Sequence, residues 1–525
     1  MLKSMSLPAL RGCRTGLAIL SVFLASTSLA SAETLVVRMN ADIRGFDGFN
    51  RDANTDTVTH HIFETLVANR GNLSIGPALA ASWALSGDET TYTFKLREGA
   101  TFTDGSPITS ADVAWNWKWR MDPAREWVCA SEFDGSKGLK VETVETPDAG
   151  TVVFKLDKPN ALFLTQLANI QCNAWIASPR NVDTAGNWIE GSAIGSSSFK
   201  LGEWVKGQSI TLVANPDYKP AGEEALSGLA GDRTAKVDAV KFQIIPDTAA
   251  AEAALYAGEI DILPGFESGR IEEAKAKGIQ IASTPGLSWT PLLIQTLDPL
   301  MSNLKFRQAI AHAIDYDQIA EVRNSGLAGH NPSGVAQASA FFDDDFLEWP
   351  KYDPAKATAL LAEAGYKGET VKIQTNSRYQ GMYDNSVMVQ AMLMAVGIKA
   401  ELETLDWAAQ LDNYNAGKFQ LQSFGYSARL DPSQMYGRLI GDKTKSPSRQ
   451  WQSDEAAKLY VETTVTSDFE KRKALFKSLH KLMVADLPIF GLYYEPVIDA
   501  LGPKVKDYHV WAADKTVLFG VGKGQ

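Results

Sequence analysis

Apolar and polar positions alternate, or recur at helical spacing, along most of the chain, and this pattern alone predicts a mixed α/β protein. Leu35 to Met39 is a short β-type run. Tyr92, Phe94 and Leu96 alternate with Thr91, Thr93 and Lys95, and Val152, Phe154 and Leu156 repeat the alternation, so both segments read as half-buried strands. Ser209 to Val213 makes another. Thr57 to Ala68 places Val58, Ile62, Thr65 and Leu66 on one side of a predicted helix. Helices are predicted over Asn303 to Ile314 and over Asp353 to Gly365, the second closed by its glycine. A strand at Val371 to Gln374, a helix at Asp384 to Val396 closed by Gly397, and a strand at Ile398 to Leu405 form a βαβ unit. Pro488 to Ala500 returns to strand-like composition.

The densest block is Thr91 to Arg120 (TYTFKLREGATFTDGSPITSADVAWNWKWR). It reads as a strand, a turn at Asp104-Gly105-Ser106-Pro107 and a helix, with Thr109 and Asp112 spaced as a capping box and Trp115, Trp117 and Trp119 on the helix.

Composition narrows the class. The 525 residues are 45% hydrophobic and 22% charged, with 3 Cys and a formal charge of −11. That excludes a disordered chain and a disulfide scaffold, and the acidity argues against wrapping nucleic acid. Lys3, Arg11 and Arg14 precede an apolar run, Gly16 to Ala25, that is shorter than the about 20 residues a membrane span needs. Ala30 and Ala32 then form an Ala-x-Ala site, so residues 1–32 read as a signal peptide cleaved after Ala32. Without it, 48 basic residues face 62 acidic ones, a net −14 on an exported, soluble chain. Cys129 and Cys172 remain. In an oxidising compartment this pair predicts a disulfide, with two separate buried thiols as the alternative.

The block at 91–120 resembles the extracellular solute-binding proteins of family 5, the dipeptide, oligopeptide and nickel-binding components of ABC importers. Asp247 to Leu263 (DTAAAEAALYAGEIDIL), Phe306 to Asp315 (FRQAIAHAID) and Asp486 to Tyr494 (DLPIFGLYY) are similar to further family motifs, in the right order, and Ala193 to Leu201 (AIGSSSFKL) to a fifth more weakly. The resemblance implies a two-lobed periplasmic-binding-protein fold (type II, cluster C-like) with a hinge and an interlobe ligand cleft. Lobe I would comprise 33–285 plus 496–525, with a subdomain near 75–190, and lobe II 286–495. It implies capture of a peptide or peptide-like solute by hinge closure and delivery to a membrane permease and its ATPase, without catalysis, cofactor or metal, by a monomer.

The same resemblance locates a departure. In peptide-binding members a lobe II loop carries an Asp that pairs with the peptide α-ammonium. Here the loop is Gly425 to Pro432 (GYSARLDP), and Arg429 stands in that place. An Arg would repel an ammonium but suits a carboxylate or phosphate. Three readings stand: Arg429 contacts an anionic ligand, such as an opine or sugar conjugate; Asp431 shifts into the ammonium role; or Arg429 makes a structural ion pair with Asp431. Trp289, Trp407 and Tyr426 are aromatic cleft candidates, each with core packing as the alternative. Arg378 could hold a ligand carboxylate. Phe46, Phe49 and Asn50 lie in the loop after the first strand, a region that reaches the cleft in the family. His60 and His61 are adjacent rather than four apart, which is poor metal geometry. The sequence carries no nucleophile-elbow, zincin or Walker motif, yet a pair of carboxylates could act as an exported peptide or glycoside hydrolase without leaving one.

Overall fold

The computed structural model describes residues 33–49 and 52–524. The predicted signal segment and Asn50 therefore lie outside the described residues. Among those described, ten strands form one sheet: β1 (Thr34–Met39), β2 (Phe199–Val205), β3 (Ser209–Ala214), β4 (Ala239–Ile244), β5 (Ile262–Pro264), β6 (Gln280–Ile294), β7 (Val371–Asn376), β8 (Ala400–Leu405), β9 (Leu421–Ser423) and β10 (Ile489–Leu501). Their spatial order is β8-β7-β9-β6-β10-β5-β1-β4-β3-β2. One end is parallel, β8-β7-β9, and contains the predicted βαβ unit, with its helix at Gln380–Ala395. At the other end β1 runs parallel to β4 and β5.

The two long antiparallel strands β6 and β10 join these ends. Their register shifts between Pro285 and Trp289, next to the Pro285–Pro496 pair. Gly286 sits in that break, and a Cβ there would lie 2.4 Å from the Glu495 carbonyl oxygen, so the close approach needs glycine. β6 gives no alternating signal in the sequence because its second half, Trp289 onward, is buried on both faces.

A second, four-stranded antiparallel sheet forms from Ala80–Leu85, Thr91–Leu96, Thr151–Leu156 and Val141–Asp148. It carries its own core, including Phe94, Phe154 and Phe163. The helix Ser110–Met121 covers it, and the Thr109 backbone N–H donates to Asp112 Oδ2 at 2.8 Å as the capping box requires.

The helix expected over 57–68 instead spans Ala53–Ile62, capped by Asp52, whose carboxylate accepts from the Asn54 and Thr55 N–H groups. Apolar residues continue past Ile62 because the extended chain there is buried on every side. Ser196 and Ser197 N–H close on the Ile62 carbonyl at 3.1 Å each. Gly195 permits this, since its Cβ would lie 2.0 Å from that oxygen. Glu64 then turns to Arg97, accepting at 2.6 and 2.5 Å. Both side chains are buried, and Arg97 with its hydrogen bonds outweighs burial and holds the Glu64 carboxyl below its ordinary range. The motif residues Arg97 and Gly195 are thus scaffold.

The Asp353–Gly365 reading is met by a helix at Pro354–Ala364, with Asp353 as N-cap and Gly365 left-handed at φ 73°. The helix expected over 384–396 starts a turn earlier, at Gln380, after a turn in which Asn376 Oδ1 accepts from Tyr379 N–H at 2.8 Å.

Candidate functional site

The carboxyl ends of parallel strands leave backbone groups and loops open to a ligand. Here β7, β8 and β9 end at Asn376, Leu405 and Ser423. The segments that follow carry Arg378, Trp407 (the first residue of the helix Trp407–Ala416), Tyr426 and Arg429, so one rim gathers four of the sequence candidates. An aromatic chain links them: Tyr379 meets Trp407 edge-on at 4.9 Å, Trp407 meets Phe424 at 5.8 Å, Phe424 meets Tyr426 at 5.2 Å, and Tyr426 stacks on Trp289 at 6.2 Å. Arg378 lies over the Tyr379 ring at 5.7 Å.

The chain enters this rim as a short edge. Tyr426 and Trp289 exchange backbone hydrogen bonds of 3.0 and 2.8 Å. The loop then turns into the helix Pro432–Leu439, capped by Asp431. Asp431 accepts from Ser433 N–H at 2.9 Å and from Arg472 Nη2 at 2.9 and 3.1 Å, and it is buried. Its carboxylate is therefore fully engaged, and its ion-pair partner is Arg472 rather than Arg429.

Arg429 is half-buried, and its Nη1 donates to its neighbour's carbonyl, Ala428 O, at 2.9 Å. Burial first, and then the charge of Arg438, pull its guanidinium below the ordinary value, while Tyr426 and Tyr414 act in the opposite sense. Arg429 and Arg438 line a cavity of 450 Å³ with Gln434, inside the about 300–1,000 Å³ range of small-ligand sites. Its opposite wall comes from a distant stretch of chain: Glu132, Lys137, Gln166, Asn169 and the Cys129–Cys172 pair, with Ala513 at the edge. Those cysteines are joined, with S–S 2.08 Å and Cα atoms 5.5 Å apart. Glu132 is held by Lys137 at 2.6 Å and Gln166 at 3.2 Å.

Three aromatic candidates sit elsewhere. Phe46 is packed in the core, 5.5 Å edge-on to Trp204. Trp289 is fully enclosed, its indole N–H donating to Asn331 O at 3.2 Å. It backs Tyr426 instead of facing the cavity. Phe49 is half-buried against Trp119 at 4.8 Å. The sequence reading missed Gln434, Arg438 and the wall at 132–169. Gln434 and Arg438 are four apart on one helix, a spacing that could have placed them on one face beside Arg429. The opposing wall left no signal, because only folding brings it near.

A larger depression of 790 Å³ lies at the amino ends of the same strands, lined by Lys372, Glu403 and Lys418 among others. It is at the wrong end of the parallel strands for a ligand site of this architecture. His60 and His61 are both buried, with ring nitrogens on the Ile170 and Thr57 carbonyls, and among the described residues no group of three or more metal-ligating side chains converges.

Residues 74–448 match the model of bacterial extracellular solute-binding proteins, family 5 middle domain. Relatives include heme-binding protein A of Haemophilus influenzae, 25% identical over 88% of this chain and 86% of its own length. Di/tripeptide-binding protein 3 of Pseudomonas aeruginosa is also 25% identical, over 94% of this chain and 95% of its own. A periplasmic binding protein associated with an ABC transporter, DppA from Helicobacter pylori, solved in complex with the peptide STSA, superposes with a TM-score of 0.67 at 26% identity, covering 94% of this chain and 99% of that one. The architecture is the two-lobed α/β fold of these binding proteins, and the chain belongs to the bacterial extracellular solute-binding proteins of family 5.

Proposed function

We propose that this chain is the periplasmic capture component of an ABC importer for a peptide or peptide-like solute. The observation that carries this reading is the 450 Å³ cavity at the strand carboxyl ends, walled by 429–438 on one side and by 129–172 on the other. Two walls so far apart in sequence can be brought together by ligand and separated to release it. The names of the Pseudomonas and Helicobacter relatives support a peptide; the equally similar heme-binding relative shows that identity at this level does not choose the ligand.

In this reading lobe I is 33–285 plus 496–525, with the four-stranded sheet as its subdomain, and lobe II is 286–495. The hinge is the register break of β6 and β10 at Pro285 and Pro496. Residues 1–32 direct export and are removed after Ala32. The monomeric protein hands its solute unchanged to a permease and ATPase. Ligand contacts come from Arg429, Arg438, Tyr426, Trp407 and Arg378.

Small-angle scattering and thermal melting with a mixed di- and tripeptide library test this. The expected result is a higher melting temperature and a smaller radius of gyration, with the peptides recovered intact. Cleaved peptides would favour the hydrolase reading, and an unchanged radius would remove hinge closure.

A further inference from the structure

The charged lining of the cavity does not balance. Glu132 and Lys137 neutralise one another across 2.6 Å. Arg429 and Arg438 face the same space, and among the described residues neither forms an ion pair. The helix Pro432–Leu439 fixes their geometry: Met435, Tyr436 and Leu439 anchor its buried face, and Gln434 and Arg438 project from the other. Gln434 Oε1 accepts from Leu430 N–H at 3.2 Å and so ties the Arg429 loop to this helix. The nearest carboxylate on the loop, Asp431, belongs to Arg472. Half-buried Arg429 and exposed Arg438 line one cavity without a counter-charge, in a chain that is otherwise strongly acidic, and so present a place for an anion from outside.

We infer that the cavity selects a ligand carboxylate and holds it between Arg429 and Arg438, so that the solutes of this protein are peptides recognised by an acid group and not by their amino terminus. This rests on the peptide reading above. Planar guanidinium forks accept a carboxylate through paired N–H donors. The facing wall supplies neutral amides, Gln166 and Asn169, for a peptide backbone. Ligand entry also relieves the repulsion that already acts between the two arginines. The carboxylate can be the peptide's terminus or an acidic side chain.

Calorimetric titration separates the sources. The probes are trialanine as free acid, trialanine amide, an Ala-Glu-Ala amide and succinate, each against the wild type, Arg429→Gln and Arg438→Gln. Melting curves confirm that both variants fold. The free acid or the Glu-containing amide should bind about tenfold or more tighter than trialanine amide, and each variant should abolish that preference. Preference for the free acid assigns the terminus, and preference for the Glu peptide assigns a side chain. Equal binding of all three peptides, or a preference that survives in Arg429→Gln, overturns the carboxylate cradle and leaves the peptide reading standing. Succinate binding that Arg429→Gln abolishes, with no peptide bound, supports the cradle and removes the peptide reading. Binding of none of the probes overturns both.

Discussion

Arg97 and Arg429 both stand in motif-bearing segments, and the fold treats them in opposite ways. Arg97 is buried and donates to both oxygens of Glu64 and to the Ala78 carbonyl. Arg429 is half-buried, donates to its own neighbour and faces a second arginine. A scaffold site neutralises its charge within the chain, because an unpaired buried ion is costly. In the function proposed above, Arg429 keeps its charge for a solute that arrives later. On that proposal, the difference separates residues that carry family likeness from residues that carry ligand choice.

The largest effect falls on the scaffold arginine. Arg97→Met leaves the buried Glu64 without its ion-pair partner, with the Ser196 hydroxyl still donating at 2.9 Å, which should cost about 3–5 kcal/mol of stability in urea unfolding. Adding Glu64→Gln should restore part of it. A loss below about 1 kcal/mol would show that the pair is not structural.

Opening the disulfide comes next. Cys129→Ser with Cys172→Ser removes a link spanning 43 residues and should cost about 2–4 kcal/mol. Because that link forms part of the cavity wall, the double variant should also bind ligand more weakly, whereas Arg97→Met, measured below its melting temperature, should not.

A smaller effect comes from pH. Burial lowers His60 to about 3 and His61 to about 4, from an ordinary 6.5. His61 Nδ1–H donates to Thr57 O at 2.7 Å while Nε2 accepts from Leu518 N–H at 3.1 Å, so the neutral ring joins the helix Ala53–Ile62 to the C-terminal segment. The unfolded chain takes up these protons first. Stability is therefore fully present above pH 6.5 and falls as the pH drops toward 4, by about 2 kcal/mol per histidine at pH 5. His61→Gln should flatten the slope between pH 6.5 and 5; an unchanged slope would mean that His61 is not held neutral.

Much of the scaffold was legible. The capping box at Thr109 and Asp112, the helix closed by Gly365 and the βαβ unit follow from local chemistry, and local chemistry is written in neighbouring residues. Strand β6 was not legible, because burial on both faces erases alternation. The end of the helix at Ile62 was not, because Gly195, Ser196 and Ser197 set it from far along the chain. At the site, Arg429 stood out against the family pattern. The engagement of Asp431 by Arg472, the enclosure of Trp289 and the wall at Glu132 depend on tertiary contacts that one sequence does not encode locally.

The smallest stability effect belongs to Arg429. Arg429→Gln should change stability by no more than about 0.5 kcal/mol, since it removes no internal ion pair.

The most direct test is mass spectrometry of the solute released by denaturing protein purified from the periplasm. The expected solutes are peptides bearing a free carboxylate, recovered from the wild type and depleted from Arg429→Gln. A solute that carries no carboxylate, or a carboxylate-bearing peptide retained equally by Arg429→Gln, would contradict the carboxylate cradle.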